Sequence, residues 1–341
     1  MADLLVTALN QVVDGRDLDA STARLVMDRI MEGAATPAQV GALLAALRLK
    51  GETVAELTGM VESMRDHAVR VTLPRPAVDT CGTGGDRAGT FNISTAAAVV
   101  TAGAGCPVAK HGNRAASSRC GSADVLEALG VSISLPPQGV VRCVEAAGIG
   151  FMLAPVYHPA MRHVGPVRAE LGIRTVFNVM GPLANPARVR HQLIGTPSPA
   201  LAEKMAGVLL GLGHRRAVVF AGPDGIDELV LHAPARAYLV AEGRIEETVI
   251  DPARLGLASA PVSALAGGDA ARNAALMRAL LDGEAGPVRD CVVLNSGAAL
   301  FAAEVAPSIE AGMEEAERAI DSGAARARLD TLVRVSSEAA A

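Results

Sequence analysis

The chain opens with one hydrophobic period and continues with another. Over residues 1 to about 70, apolar side chains return every three or four positions, and Leu4, Leu5, Ala8 and Val12 fall on one helical face. Thr36-Pro37 supplies an N-cap and a proline for the first helical position, "AQVGALLAALRLK" follows as helix, Gly51 stops it, and "TVAELTGMVESMRDHA" begins the next. The pattern predicts a small helical domain over residues 1–72. Its apolar faces exceed what so short a bundle buries within itself, so either a second subunit or the rest of the chain covers the surplus.

"VTLPRPAVDT" then brings two prolines and a change of period, which marks a boundary. From residue 73 the chain alternates: "AVDTC" predicts a strand, "ISTAAAVVTAGAG" a helix, "PVAK" a strand and "SADVLEALG" a helix, with the alternation continuing through "VSISL", "QGVVRCVEAAG" and "GFMLA". "RRAVVFAG" predicts another buried strand, and "ELVLHAP", "ARAYLVAEG" and "RIEETVI" antiparallel additions; the tail after Asp269 is helical. Residues 158–190 interrupt the strands with short helices and loops and are expected to rejoin the helical domain over about 160–195. The fold class is therefore α/β: a small all-helical domain plus a larger domain, residues 73–341, with a mainly parallel central sheet. Ligands of such sheets bind at the carboxyl ends of the strands.

Half the residues are hydrophobic and a fifth charged, the balance of a globular chain. No apolar run is long enough to span a bilayer, and "MADLLVTALNQVVDG" lacks the basic segment of a signal peptide, so a cytoplasmic protein without membrane association is expected. Five cysteines without a CxxC or zinc-like spacing are expected to be reduced thiols. The net charge of -5 argues against a nucleic-acid partner, because affinity for a phosphate backbone comes from clustered Lys and Arg. An anionic ligand would need positive charge supplied locally.

Three strand ends carry polar loops. In "CGTGGD", Gly82, Gly84 and Gly85 let the main chain approach a ligand with its N–H groups, and Asn92, Ser94 and Thr95 open the helix that follows, an arrangement suited to phosphate. "KHGNRAASSRCGS" offers Lys110, His111, Asn113, Arg114, Ser117, Ser118 and Ser122, a mixture of cations, amides and hydroxyls suited to a phosphorylated sugar. "AGPDGIDELV" places Asp227 beside Glu228, a pair suited to Mg2+ that shares the phosphates of its substrate. His111 titrates in the range of a general base, although a role in shaping the loop fits it better; His158 either contacts substrate or caps a helix. Arg162, Arg168 and Arg174 are all placed to grip a carboxylate, and their spacing does not choose among them.

Together "GTGGD", "FNIST", "KHGNR" and "GSADVLEALG" resemble the anthranilate phosphoribosyltransferase family, and the resemblance runs from "ATPAQVGALLAALRLKGET" through "HPAMRHVGPVRAELGIRTVFNVMGPLANP" to "VLNSGAALF". It covers nearly the whole chain. It implies a homodimer that transfers the phosphoribosyl group of phosphoribosyl pyrophosphate to the amine of anthranilate, releasing pyrophosphate, in tryptophan biosynthesis. Carried over by motif, phosphoribosyl pyrophosphate would be held by Gly82, Gly85, Asp86, Thr90, Asn92, Ile93, Ser94 and Thr95 of the first loop. The second loop would add Lys110, His111, Gly112, Asn113, Arg114, Ala115, Ala116, Ser117, Ser118 and Ser122. Anthranilate would meet Gly82, Asn113, His111, His158 and Arg168, the last pairing with its carboxylate, while Ser94, Asp227 and Glu228 would serve Mg2+. Lys110 would stabilise charge on the leaving group, and no residue is implied as a general base. Arg119 and Cys120 depart from the family pattern, but the hydroxyls around them remain. A pyrimidine nucleoside phosphorylase would share the fold but lack "HGN" and carry a further C-terminal domain. A nucleic-acid-binding relative would need a basic groove and could dispense with the acidic pair.

Overall fold

The structure, a computed structural model, describes residues 4–86, 88–115 and 119–340. Four helices come first: α1 Leu4–Val13, α2 Ala20–Met31, α3 Pro37–Lys50 and α4 Val54–Asp66. Their ends are fixed by the residues that the sequence offers for the purpose. Thr36 and Gln39 form a reciprocal capping box at the start of α3, Thr53 and Glu56 form another at α4, and Gly51 closes α3 with φ +85°. Glu56 does more than cap: its fully buried carboxylate accepts from the backbone N–H of Leu18 and of Thr53 and pairs with Lys50 at 3.0 Å.

The larger domain is built on seven strands: β1 Val78–Gly82, β2 Val108–Gly112, β3 Ile149–Leu153, β4 His191–Thr196, β5 Arg216–Ala221, β6 Ala235–Ala241 and β7 Arg244–Ile250. They lie in the order β3-β2-β1-β4-β5-β6-β7. The pairs from β3 across to β5 are parallel and the two pairs involving β6 are antiparallel. The chain works outward from β1 to β3, returns to the other side of β1 as β4, and works outward again. The carboxyl ends of β1 and β4, where Gly82 lies opposite Gly195, therefore form the crevice at which such sheets bind ligands.

Alternation along β5 separates two cores. Ala217, Val219 and Ala221 face one cluster and Val218 and Phe220 the other. The first cluster also contains Leu57, Met60 and Val61 of α4, Ala202 and Met205 of helix Pro199–Gly211, and Val164, Phe177 and Met180 of the interrupting segment. The rest of the chain thus absorbs much of the helical surplus. The second cluster packs α5 (Ile93–Gly103), helix Pro287–Ala302 and the C-terminal helices on the opposite face.

Two expectations about elements need correction. "ELVLHAP" forms no strand: Leu229 donates its N–H to Asn295 Oδ1 and its carbonyl accepts from Asn295 Nδ2, so a helix side chain replaces the ladder for this buried segment. "VSISL" is likewise extended without pairing, its Ser132 N–H satisfied by Ser336 Oγ and the Leu135 carbonyl by the Tyr157 hydroxyl. Conversely β4, central in the sheet, lies in "HQLIGT", a run that the sequence reading passes over. The five cysteines form no disulfide among the described residues, and none of the described helices is long and apolar enough to cross a membrane.

Candidate active site

Two cavities meet at the carboxyl ends of β1 and β2. The first, about 490 Å³, is lined by the glycine loop, the start of α5, the end of β2 and the Asp227-Glu228 turn. It brings together Gly82, Gly85, Asp86, Thr90, Asn92, Ser94 and Thr95 with Lys110, His111, Gly112, Asn113, Ser122, Asp227 and Glu228. Phe91, Arg119 and Asn273 join them; Phe91 opens the "FNIST" motif, whereas no sequence signal marked Asn273. Asn273 comes from helix Ala270–Leu281 and donates to Asn92 Oδ1, while Asn92 donates to the Cys120 carbonyl. Asn92 is thus a bridge between loops, and its side chain makes no capping bond to α5.

Other expected residues stand apart from the cavity wall. Ile93 is fully buried in the core. Arg114 is turned to Asp124 and Glu127, at 3.1 and 2.8 Å, and the Ala115 N–H donates to Asp124, so this pair secures the loop to α6 (Ser122–Ala128). Ala116, Ser117 and Ser118 lie outside the described residues.

The cavity floor is electrostatically unbalanced. Lys110, 2 % exposed, donates to the Thr80 carbonyl and lies 3.5 Å from Ser94 Oγ. Against this one buried ammonium stand Asp79, Asp86, Asp227 and Glu228. Burial, and then the neighbouring Asp86, push the Asp227 carboxyl up; burial, and then Asp227, push Glu228 up to about 8. Asp79 is raised to about 6 by burial, although Lys110 and a bond from Asn185 hold it down. Asp227 is locked in place: its Oδ2 accepts from the Gly84 N–H at 2.5 Å. A Cβ on Gly82 would strike the Asp227 carboxylate, and one on Gly195 its carbonyl, so both positions require glycine. Ser94 is fixed in the same cluster by its N–H, which donates to Glu228 Oε1 at 3.2 Å. Oxygen donors carrying excess negative charge fit a hard divalent cation. Among the described residues no three His, Cys, Asp or Glu side chains are grouped to hold an ion unaided, so its remaining ligands would be water or phosphate oxygens.

The second cavity, about 630 Å³, shares Gly82, His111, Gly112 and Asn113 with the first and extends between the domains to Met64, His158, Arg168 and Phe177. Its walls are largely apolar. The Arg168 guanidinium lies 5.4 Å above the Phe177 ring, half-buried, and among the described residues it has no carboxylate partner. Arg162 also lines this cavity, whereas Arg174 reaches the glycine loop, donating to the carbonyls of Gly84 and Gly85. His111 and His158 pack with ring centroids 5.0 Å apart. Burial drives their pKa values to about 3 and about 4, so both are neutral, and each keeps a buried Nε2 without a hydrogen-bond partner.

A helical bundle joined to an α/β domain, with adjoining polar and apolar cavities at the sheet's switch point, is matched by the glycosyl transferase family. Residues 74–326 match the family described as "Glycosyl transferase family, a/b domain" and residues 6–68 that described as "Glycosyl transferase family, helical bundle domain". The anthranilate phosphoribosyltransferase of Chloroflexus aggregans is 55 % identical over 331 residues, covering 96 % of this chain and 97 % of its own. The crystal structure of anthranilate phosphoribosyltransferase from Thermus thermophilus superposes with a TM-score of 0.92 at 45 % identity, over 97 % of this chain and 99 % of that one. The Saccharomyces cerevisiae anthranilate phosphoribosyltransferase in complex with phosphoribosyl pyrophosphate and Mg superposes with 0.89 at 26 % identity, over 98 % of each. The chain belongs to the anthranilate phosphoribosyltransferase family.

Proposed function

We propose that the protein transfers the phosphoribosyl group of phosphoribosyl pyrophosphate to the amine of anthranilate, giving N-(5-phosphoribosyl)anthranilate and pyrophosphate in tryptophan biosynthesis. The observation that carries this reading is the shared wall. A polar cavity rich in N–H and hydroxyl groups adjoins an apolar one bearing an unpaired arginine, and Gly82, His111, Gly112 and Asn113 belong to both. Sugar C1 would sit at that wall, with the pyrophosphate on the polar side and the aromatic amine on the other.

In the reaction the bond from C1 to the pyrophosphate oxygen breaks, the bond from C1 to nitrogen forms, and the amine proton passes to water. Lys110 supplies positive charge under the departing oxygen, and N–H groups of the glycine loop add to it. Arg168 holds the anthranilate carboxylate and so aims the amine at C1. An aromatic amine is unprotonated at neutral pH, and neutral His111 and His158 shape its path without serving as bases. Mg2+ held by Asp227, Glu228 and Ser94 would neutralise the pyrophosphate. Burial first and then mutual repulsion raise the carboxyls of that pair, and a bound cation would offset both by displacing their protons. We further propose a homodimer formed through the helical domain.

Anthranilate fluorescence provides the test, against a background that contains no tryptophan. Its decay on mixing the protein with phosphoribosyl pyrophosphate and Mg2+, and in no mixture lacking one component, is the expected result. Stable fluorescence with folded protein that still binds phosphoribosyl pyrophosphate would overturn anthranilate as the acceptor.

A further inference from the structure

A third cavity, polar, lies at the amino-terminal end of β4, at the opposite end of the strands from the glycine loop. It measures about 300 Å³ and is walled by the last turns of α4, by the connection into β4 and by the end of helix Pro199–Gly211. Four guanidinium groups, from Arg24, Arg65, Arg188 and Arg190, share it with two carboxylates, Glu62 and Asp66. Both carboxylates are already engaged. Arg24 meets Asp66 at 2.7 Å and Glu62 at 3.5 Å, and Arg188 meets Asp66 at 2.6 Å.

That leaves two guanidinium groups without an ion pair among the described residues. Arg65 donates its Nε to the Leu183 carbonyl at 2.7 Å, and Arg190 donates to the Gly213 carbonyl at 2.9 and 2.6 Å. Among the described residues, neither has a carboxylate within ion-pair distance. Arg65 is 8 % exposed, so water does little to solvate its charge. Its Nη2 and the Nε of Arg188 are buried without an acceptor among the described residues. Burial and then the facing Arg188 push the Arg65 pKa down to about 10, against the weaker pull of the Glu62 carboxylate. A clamp that existed only to join the domains would match donors with acceptors; here the donors are in excess and open space remains beside them.

We propose that this cavity is a second anion site, for a dianion of the phosphate class held by Arg65 and Arg190. Guanidinium forks match tetrahedral oxyanions, and two unpaired positive charges match the charge of the ion. Arg65 closes the helical domain's last helix and Arg190 leads into β4, so the bound ion ties the two domains together at their junction. The site is distinct from the transfer site, since it shares no residue with either cavity described above.

Thermal unfolding in inorganic phosphate, against potassium chloride at equal ionic strength, reads the site apart from general screening. Saturating phosphate should raise the midpoint by roughly 2 to 4 °C. The shift should persist in Lys110→Gln, which alters the polar cavity by the glycine loop, and vanish in Arg190→Ala. Arg65 is too buried for a safe substitution. Arg190 is exposed, and Arg190→Gln, which keeps a donor for Gly213, serves if the alanine variant does not fold. A shift lost in Lys110→Gln but kept in the Arg190 variants would assign phosphate to the glycine-loop site and overturn the proposal; no shift in the wild type would overturn it equally.

Discussion

At the scale of single residues, the site is organised by charges that the protein leaves unmatched. Arg168 has an aromatic neighbour and, among the described residues, no carboxylate partner. Arg168→Ala should raise KM for anthranilate by about 10- to 100-fold, the worth of a charge-assisted hydrogen bond, while KM for phosphoribosyl pyrophosphate stays within about twofold. Steady-state kinetics with each substrate varied checks this, and parallel rises in both constants would deny Arg168 its role. The carboxylates give a pH signature. A carboxyl whose pKa is raised by folding binds its proton more tightly in the folded protein, so stability falls as pH rises from the unfolded value through the folded one, about 8 for Glu228. The depressed histidines act in the opposite sense, but only below their ordinary value of 6.5, where the unfolded chain takes up protons. Between about pH 6.5 and 8.5 the metal-free protein should therefore lose on the order of 1 kcal/mol per pH unit. The double variant Asp227→Asn, Glu228→Gln should be flat over that window, and Mg2+ should stabilise the wild type more at its upper end. Urea unfolding with chelator or Mg2+ measures all three, and equal slopes for wild type and variant would remove this pair as the source.

At the scale of elements, legibility followed the reach of the interactions. Caps are local, so Thr36, Gly51 and Thr53 announced their helices, and the glycine loop announced itself as the end of a strand. Asn273 and the loop contact of Arg174 could not be read, because they act on Asn92 and on the glycine loop across long chain separations and belong to no motif. "ELVLHAP" has the composition of a strand, yet Asn295 of a distant helix satisfies its backbone. β4 was hidden for the opposite reason: it follows an irregular segment, and only its pairing between β1 and β5 makes it a strand. Glu56 shows local and distant roles in one side chain. It caps α4, holds the start of α2 through Leu18 and neutralises Lys50 at the end of α3. Lys50→Met should cost about 3 kcal/mol, the low end for breaking a buried pair, since two N–H donors still solvate the carboxylate. Glu56→Gln with Lys50→Met should recover part of the loss. Denaturant unfolding of Lys50→Met, Glu56→Gln and the double variant decides, and an additive result would mean that the pair is not coupled.

At the scale of the whole molecule, one apolar cluster runs from α1 through the interrupting segment to a face of the sheet, so the helical domain is anchored to the sheet by its own core. Among the exposed aliphatic side chains, which include Leu25 of α2 and Val54 of α4, three sit on α1 and α3, which pack on each other. Val6 and Val13 of α1 are 44 % and 66 % exposed, and Leu49 of α3 is 88 % exposed. Three large aliphatic side chains left in water on adjacent helices favour burial against a second copy, whose identical surface makes the contact reciprocal. Wild-type protein should then elute in light-scattering chromatography at twice its 34.7 kDa, and Leu49→Glu should elute as a monomer with an unchanged helical signal. The consequence for activity follows from what lies behind α3. Gly41 of α3 accommodates Val167 of helix Gly165–Leu171, the short helix that carries Arg168. Separating the subunits removes support from α3 and, through it, from Arg168, while the glycine loop, Lys110 and the Asp227-Glu228 turn rest on the sheet. The monomeric variant should therefore show a KM for anthranilate raised a few-fold and a KM for phosphoribosyl pyrophosphate near that of the wild type. A monomeric wild type would refute the dimer, and a monomeric variant with both constants unchanged would sever the link from interface to acceptor site.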